Sequence, residues 1–210
     1  MLNGGNIVLN NGWKLKCGKY VGSYVSETQI WNLFDNFFST GSTKNTAYKF
    51  IFMKSILEIA SKLEVNQPMN YHHIFERFTE IYWDLYAKQG LRQSRKSQKA
   101  TAEKIIDKYR DNESQCSNFS NLRVDIKNKL VTEIHLECKK NVIGAVYADF
   151  DGYIYSFSND ESEIELNEIF FDFIKKYKSI LLKLNYLEWM KYMVKVNETV
   201  NINELDYLSN

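Results

Sequence analysis

Tyr48-Lys49-Phe50-Ile51-Phe52-Met53-Lys54-Ser55-Ile56-Leu57-Glu58-Ile59-Ala60 is the stretch whose reading decides the fold. Tyr48, Phe52, Ile56, Ile59, Ala60 and Leu63 recur at three- and four-residue steps, the period of a helix face. Phe50, Ile51 and Leu57 widen that stripe until it wraps most of the cylinder. A helix that is apolar on more than one side is buried by neighbours on more than one side. Asn45 is placed to cap it, and it is expected to run to about Glu64. Asn66-Gln67-Pro68 closes it, because the residue before a proline avoids helical angles.

Segments on both sides obey the same period. Ser26 and Gln29 have the spacing of a capping box, and Ile30, Trp31, Leu33, Phe34, Phe37 and Phe38 follow, which predicts a helix from about Thr28 to Phe38. Ile74, Phe78, Ile81 and Leu85 set a helix from about Tyr71 to Lys88, with Gly90 as its stop. Ile105, Ile106 and Tyr109 mark another over about Lys99–Arg110. Leu122, Ile126, Leu130 and Ile134 mark one over Ser120–Lys139. Ile169 to Met193 is helical again. Between the last two, Val142–Ala148 and Tyr153–Ser158 are rich in β-branched and aromatic residues and flank Asp149-Phe150-Asp151-Gly152. That pattern predicts an antiparallel β-hairpin over about 142–158 with an Asp-Gly turn. The expected fold is mainly α: a compact multi-helix domain, residues 1–210, with one small inserted hairpin. Residues 1–25, Gly/Asn-rich, form a loosely structured N-terminal segment.

Bulk composition agrees. The 210 residues are 44% hydrophobic and 15% aromatic, enough for a sizeable core, and one proline and nine glycines argue against a turn-rich β-sandwich. Cys17, Cys116 and Cys138 are odd in number and far apart, so a disulfide framework is not expected. Reduced thiols, no apolar run of membrane-spanning length and no charged block before an apolar one at the N-terminus suggest a cytoplasmic protein.

Charge is uneven. The chain carries a net +1, yet Lys88 to Arg110 holds eight Lys or Arg against two acids, Glu103 and Asp107. Residues 160–210 hold ten acids against six lysines, which suggests a C-terminal part with an acidic outside. A positive segment on a nearly neutral chain suggests a polyanion, and DNA is the first candidate. Arg92, Arg95, Lys96, Lys99 and Lys104 would meet phosphates, with Gln93 as a neutral donor; such contacts fix position and carry no base specificity. The competing reading is a solvated inter-helix loop. Tyr82, Trp83 and Tyr86 sit beside it, but aromatics at helical spacing read as core.

Chemistry is harder to find. Asp149 and Asp151 would offer two carboxylates to a divalent ion, yet Asp is favoured in a tight turn for backbone reasons. His72 and His73 point different ways on a helix. His135 and Cys138 lie one turn apart without a second pair of ligands. Cys17, in Lys-Cys-Gly-Lys, lacks a base partner. The sequence contains no G-x-S-x-G, G-x-x-x-x-G-K-[ST] or H-E-x-x-H motif. No catalytic residue, metal or cofactor is expected.

The order of several runs resembles the N-terminal, non-catalytic region of bacterial HNH-type endonucleases of restriction and phage defence. The runs are Thr46-Ala47-Tyr48-Lys49-Phe50; Phe75-Glu76-Arg77-Phe78 leading to Tyr82-Trp83; Leu91-Arg92-Gln93; Val142-Ile143-Gly144-Ala145; Tyr155-Ser156-Phe157; and Leu181 to Trp189 ending at Asn197. The resemblance implies a helical DNA-engaging module that precedes a ββα-metal nuclease motif. Only thirteen residues follow Asn197, none a histidine, so no nuclease residue carries over and cleavage is not expected of this chain. A nuclease domain or another protein subunit is the implied partner. A homo-oligomer, or an interaction subunit or inhibitor that binds no nucleic acid, stays open.

Overall fold

A computed structural model describes residues 12–22, 24–39, 44–95, 97–112 and 118–197. Among these residues six α-helices carry the architecture: α1 Glu27–Phe38, α2 Tyr48–Ala60, α3 Tyr71–Trp83, α4 Thr101–Asn112, α5 Val124–Asp149 and α6 Glu168–Val196. Four short strands, β1 Cys17–Gly18, β2 Met69–Asn70, β3 Tyr155–Ser158 and β4 Glu163–Leu166, form one antiparallel sheet in the order β1-β3-β4-β2.

Helix α2 is the axis, as its all-round apolarity requires. It packs against α3, α5 and α6, and every residue from Phe50 to Leu57 is buried. Lys54 is among them, and its ammonium is held by Glu58 at 2.9 Å; the same carboxylate takes Arg77 of α3 in a two-pronged pair. Desolvation works to raise the Glu58 pKa, but Arg77 and Lys54 together hold it below the usual carboxylate range. Asn45 does not cap the helix; the Tyr48 N–H instead meets the Thr46 hydroxyl at 3.4 Å. Around α2 the core is largely aromatic. Phe50 stacks on Trp189 of α6 with centroids 6.4 Å apart, and Phe37 of α1 lies 5.1 Å from Phe150.

Helix α1 starts on the capping box its sequence announces: the Gln29 N–H donates to the Ser26 hydroxyl and the Ser26 N–H to the Gln29 side chain. Helix α3 ends in one π-helical turn, Asp84–Lys88. Gly90, at φ +72°, then turns the chain, and the Leu91 N–H reaches back to the Leu85 carbonyl at 2.9 Å. Glycine enters this left-handed region without a Cβ penalty.

The predicted hairpin is half right. Val142–Ala148 is not a strand; it is the last third of α5, which begins at Val124 without a Ser120 cap. Val142, Ile143 and Val146 are fully buried there. Burial on several sides overrides the β preference of branched side chains, since propensity amounts to well under about 1 kcal/mol per residue. Gly144 explains how: a Cβ on it would lie 2.4 Å from the Gly12 carbonyl oxygen, so only glycine lets the one-turn helix Gly12–Lys14 lie flat on α5. Asp149-Phe150-Asp151-Gly152 is the exit from that helix, with Asp151 at φ 50° and Gly152 at φ 74°. The true hairpin pairs β3 with β4 around Asn159–Ser162, so its second strand follows the predicted hairpin instead of preceding its turn. Part of the N-terminal segment is also ordered: Cys17 and Gly18 pair with Ser158 and Phe157.

Candidate nucleic-acid interface

The basic segment leaves α3 at Gly90 and enters α4 at Thr101. It is neither a free loop nor a uniform phosphate cradle. Gln93 is fully buried: its side-chain amide donates to the Leu91 carbonyl at 3.0 Å, and its own carbonyl accepts from the Ala47 N–H and the Tyr192 hydroxyl. The expected phosphate contact by Gln93 is therefore corrected, because its side chain points into the core. Ser94 forms a bridge with Thr46, and the Arg95 N–H donates to the Asn45 carbonyl at 3.2 Å. Residues 93–95 thus run as a short extended ribbon against the entry to α2.

Two residues fasten this ribbon. Glu103, fully buried on α4, accepts from the Gln93 N–H and the Ala100 N–H, both at 2.7 Å, and meets the Arg92 guanidinium at 3.3 Å. A glutamate three residues into a helix commonly turns back on the N–H at its cap; here it also anchors the loop in front. Asn197, just past α6, holds Arg92 from the other side. Its carboxamide accepts from the Arg92 N–H at 2.8 Å and donates to the Arg92 carbonyl at 2.9 Å.

The cations divide accordingly. Arg92 is engaged by Glu103 and by the Gln98 carbonyl. Lys99 is paired with Asp107 at 2.6 Å, and the same carboxylate takes Arg110 and the Tyr86 hydroxyl. Lys108 pairs with Glu133 at 2.9 Å. Arg95 is exposed and lies over the Tyr192 ring, 5.0 Å from its centroid. Lys104 is exposed on the outer side of α4. Lys96 lies outside the described residues. Tyr82, Trp83 and Tyr86 are buried, as the core reading expects.

Sequence counting missed a second source of positive charge. The ten acids of residues 160–210 do not coat the last helix. On α6 itself only Glu168, Asp172 and Glu188 are acidic, against Lys175, Lys176, Lys178, Lys183, Lys191 and Lys195. The expectation of an acidic C-terminal outside is overturned for this helix: its exposed residues include Lys183, Lys191 and Lys195. Lys195 stands two residues before the Asn197 clamp, so the last turn of α6 and the basic ribbon share one corner with the start of α4.

The remaining chemical candidates find structural partners. Asp149 is paired with Lys49 at 2.6 Å. Burial, with the nearby Asp149 charge, raises the Asp151 pKa. Cys138 is fully buried, its thiol pushed up to about 12 by desolvation. His135 stacks on Phe75, 4.7 Å between centroids, and burial lowers its pKa to about 4. Among the described residues no group of three His, Cys, Asp or Glu is placed to hold a metal ion. An open cleft of about 400 Å³ between Tyr20, Pro68, Glu165 and Phe171 has no basic residue in its lining. Lys44, which drew no attention in the sequence, caps the end of α1 by donating to the Phe37 and Ser39 carbonyls at 2.5 and 3.2 Å. Burial draws its ammonium down to about 8. No described helix is long and apolar enough to cross a membrane.

Comparison with protein-family models gives no match for this chain, and comparisons with curated proteins and with solved structures give none either.

Proposed function

We propose that this chain is a non-catalytic DNA-engaging module that holds the phosphate backbone at the corner where the basic ribbon, α4 and α6 meet. The observation that carries the reading is the Asn197 clamp on Arg92, which brings the last turn of α6 beside the ribbon. Arg95, Lys104 and Lys195, from three separate segments, are exposed cations there. Arg92 and Lys99 lend their charge through partly exposed ion pairs. Contacts of this kind position a module along the duplex and leave sequence unread. The resemblance to the helical region of HNH endonucleases of restriction and phage defence fits a partner that cuts while this chain holds.

Fluorescence anisotropy with a labelled duplex and a single strand at low salt is the test. Three phosphate contacts predict log K falling against log salt with a slope of about −3. Arg95→Glu with Lys104→Glu and Lys195→Glu should abolish binding, while Lys140→Glu on α5, away from the corner, should leave it intact. Absence of binding to either strand form at low salt sinks the proposal.

A further inference from the structure

One surface runs beyond the DNA corner and shares only Lys195 with it. Helix α6 leaves Ile180, Leu187 and Val194 exposed at 50, 49 and 47%, although its other faces are buried against α2 and α1. The three stand seven residues apart. Tyr177, Leu184 and Lys191 form a second series of sevens, offset by three, and are partly or fully exposed. Two interleaved series with this offset make the seam that one helix presents to another in a coiled coil. From Ile180 to Val194 the seam is about 21 Å long, nearly four turns. Lysines punctuate it: Lys191 lies within the seam, paired with Glu188 of the same helix at 2.6 Å, and Lys183 and Lys195 beside it are exposed with no ion pair among the described residues.

We infer that the α6 seam binds an amphipathic helix of a different protein, one carrying Asp or Glu along the edges of its apolar stripe. Charge selects this occupant over a second copy. An antiparallel copy centred on Leu187 sets Lys183 against Lys191, and a parallel copy sets Lys191 against itself; like charges so placed repel. An acidic helix turns each of these contacts into an attraction and supplies carboxylates to Lys183 and Lys195 at the edges of the seam. An anionic membrane would match the charge but not the shape. About half of each apolar side chain is already covered, so the row lies level with the surface and has no Trp or Phe to enter the acyl region.

The experiment uses the full chain and two synthetic helical peptides with leucine seams, one flanked by glutamates and one by lysines. Vesicles of phosphatidylcholine with phosphatidylserine form a third arm, and light scattering of the chain alone a fourth. The glutamate peptide should bind at least about tenfold more tightly than the lysine peptide. Ile180→Ser with Leu187→Ser should weaken it at least about tenfold, a loss expected of central seam residues. Should that variant fail to fold, Lys183→Glu with Lys191→Glu keeps the apolar row and should reverse the preference between the peptides. Arg95→Glu with Lys104→Glu should leave peptide binding unchanged, which separates this surface from the DNA corner. Equal binding of both peptides, binding to neither, binding to vesicles alone, or a dimer that Leu187→Ser dissolves would each overturn the inference.

Discussion

The ribbon at residues 92–95 and the outer row of α6 exchange roles between sequence and structure. The first stands in the most basic stretch of the chain, the second in a stretch that counts as acidic. In the folded chain the ribbon is bound inward, with Glu103 and Asp107 taking up Arg92, Lys99 and Arg110. The α6 row faces outward with Lys183 and Lys195 exposed. Formal charge in a window therefore says little about potential at a surface. What matters is which carboxylates the fold brings to each cation, and these pairs join positions eight to eleven residues apart as well as neighbours. Exposed pairs contribute little to stability, about 0–1 kcal/mol each, but they decide how much charge remains for a partner.

The contrast is broken most severely at Glu103. Glu103→Ala leaves the Gln93 and Ala100 N–H groups buried without acceptors and removes the carboxylate beside Arg92. The expected cost is about 3 kcal/mol or more, read as a lowered urea midpoint. If stability is unchanged, the ribbon is not fastened there. Glu103→Gln should recover only part of the loss, because an amide offers a single acceptor oxygen where the carboxylate uses two.

A pH titration sharpens the contrast next. The core beneath α5 buries His135 in neutral form, with a folded pKa of about 4 against roughly 6.5 in an unfolded chain. Above 6.5 neither state binds the proton. As pH falls from 6.5 to 4 the unfolded chain takes it up first, so stability declines through that window. The loss should be on the order of 1–2 kcal/mol, since the ring is only partly shielded. His135→Phe should flatten that part of the curve. An unchanged slope would show that the imidazole is protonated in the folded state.

The smallest effect concerns the clamp. Asn197→Ala removes two hydrogen bonds to the Arg92 backbone, for about 1–2 kcal/mol. Amide exchange at Arg92 should accelerate while the core of α2 stays protected; equal protection in both proteins would remove the clamp from the account.

Most helices were legible because their signals are local. Ser26 with Gln29 and Gly90 act within one or two turns, and the structure uses them as their spacing suggests. The failures share a different cause. Val142 to Ala148 read as a strand because branched side chains favour one, while the reason for a helix lies at Gly12, more than a hundred residues away. Strands β1 and β2 have two residues each, too few for an alternation to register. At the candidate site, Arg95, Lys99 and Lys104 were chosen by charge alone. Gln93 was misassigned because polarity does not reveal burial, and Lys195 was hidden by a window that mixed helix and tail. Glu103 left a readable trace, a glutamate at the third position of a helix, but counting charge concealed its role as a cap. The seam on α6 was hidden by abundance: with apolar residues all around the helix, sequence alone does not say which of them face outward.

The Asn197 clamp also carries a statement about time. Residue 92 finds its partner 105 positions later, so a chain growing from its N-terminus emerges with the ribbon's outer side unfastened. That side closes only after α6 has been synthesised and docked. Among the described residues the corner to which we assign DNA is thus the last junction to be completed, and a nascent or truncated chain ending before Asn197 would carry the basic residues without the arrangement that gathers them.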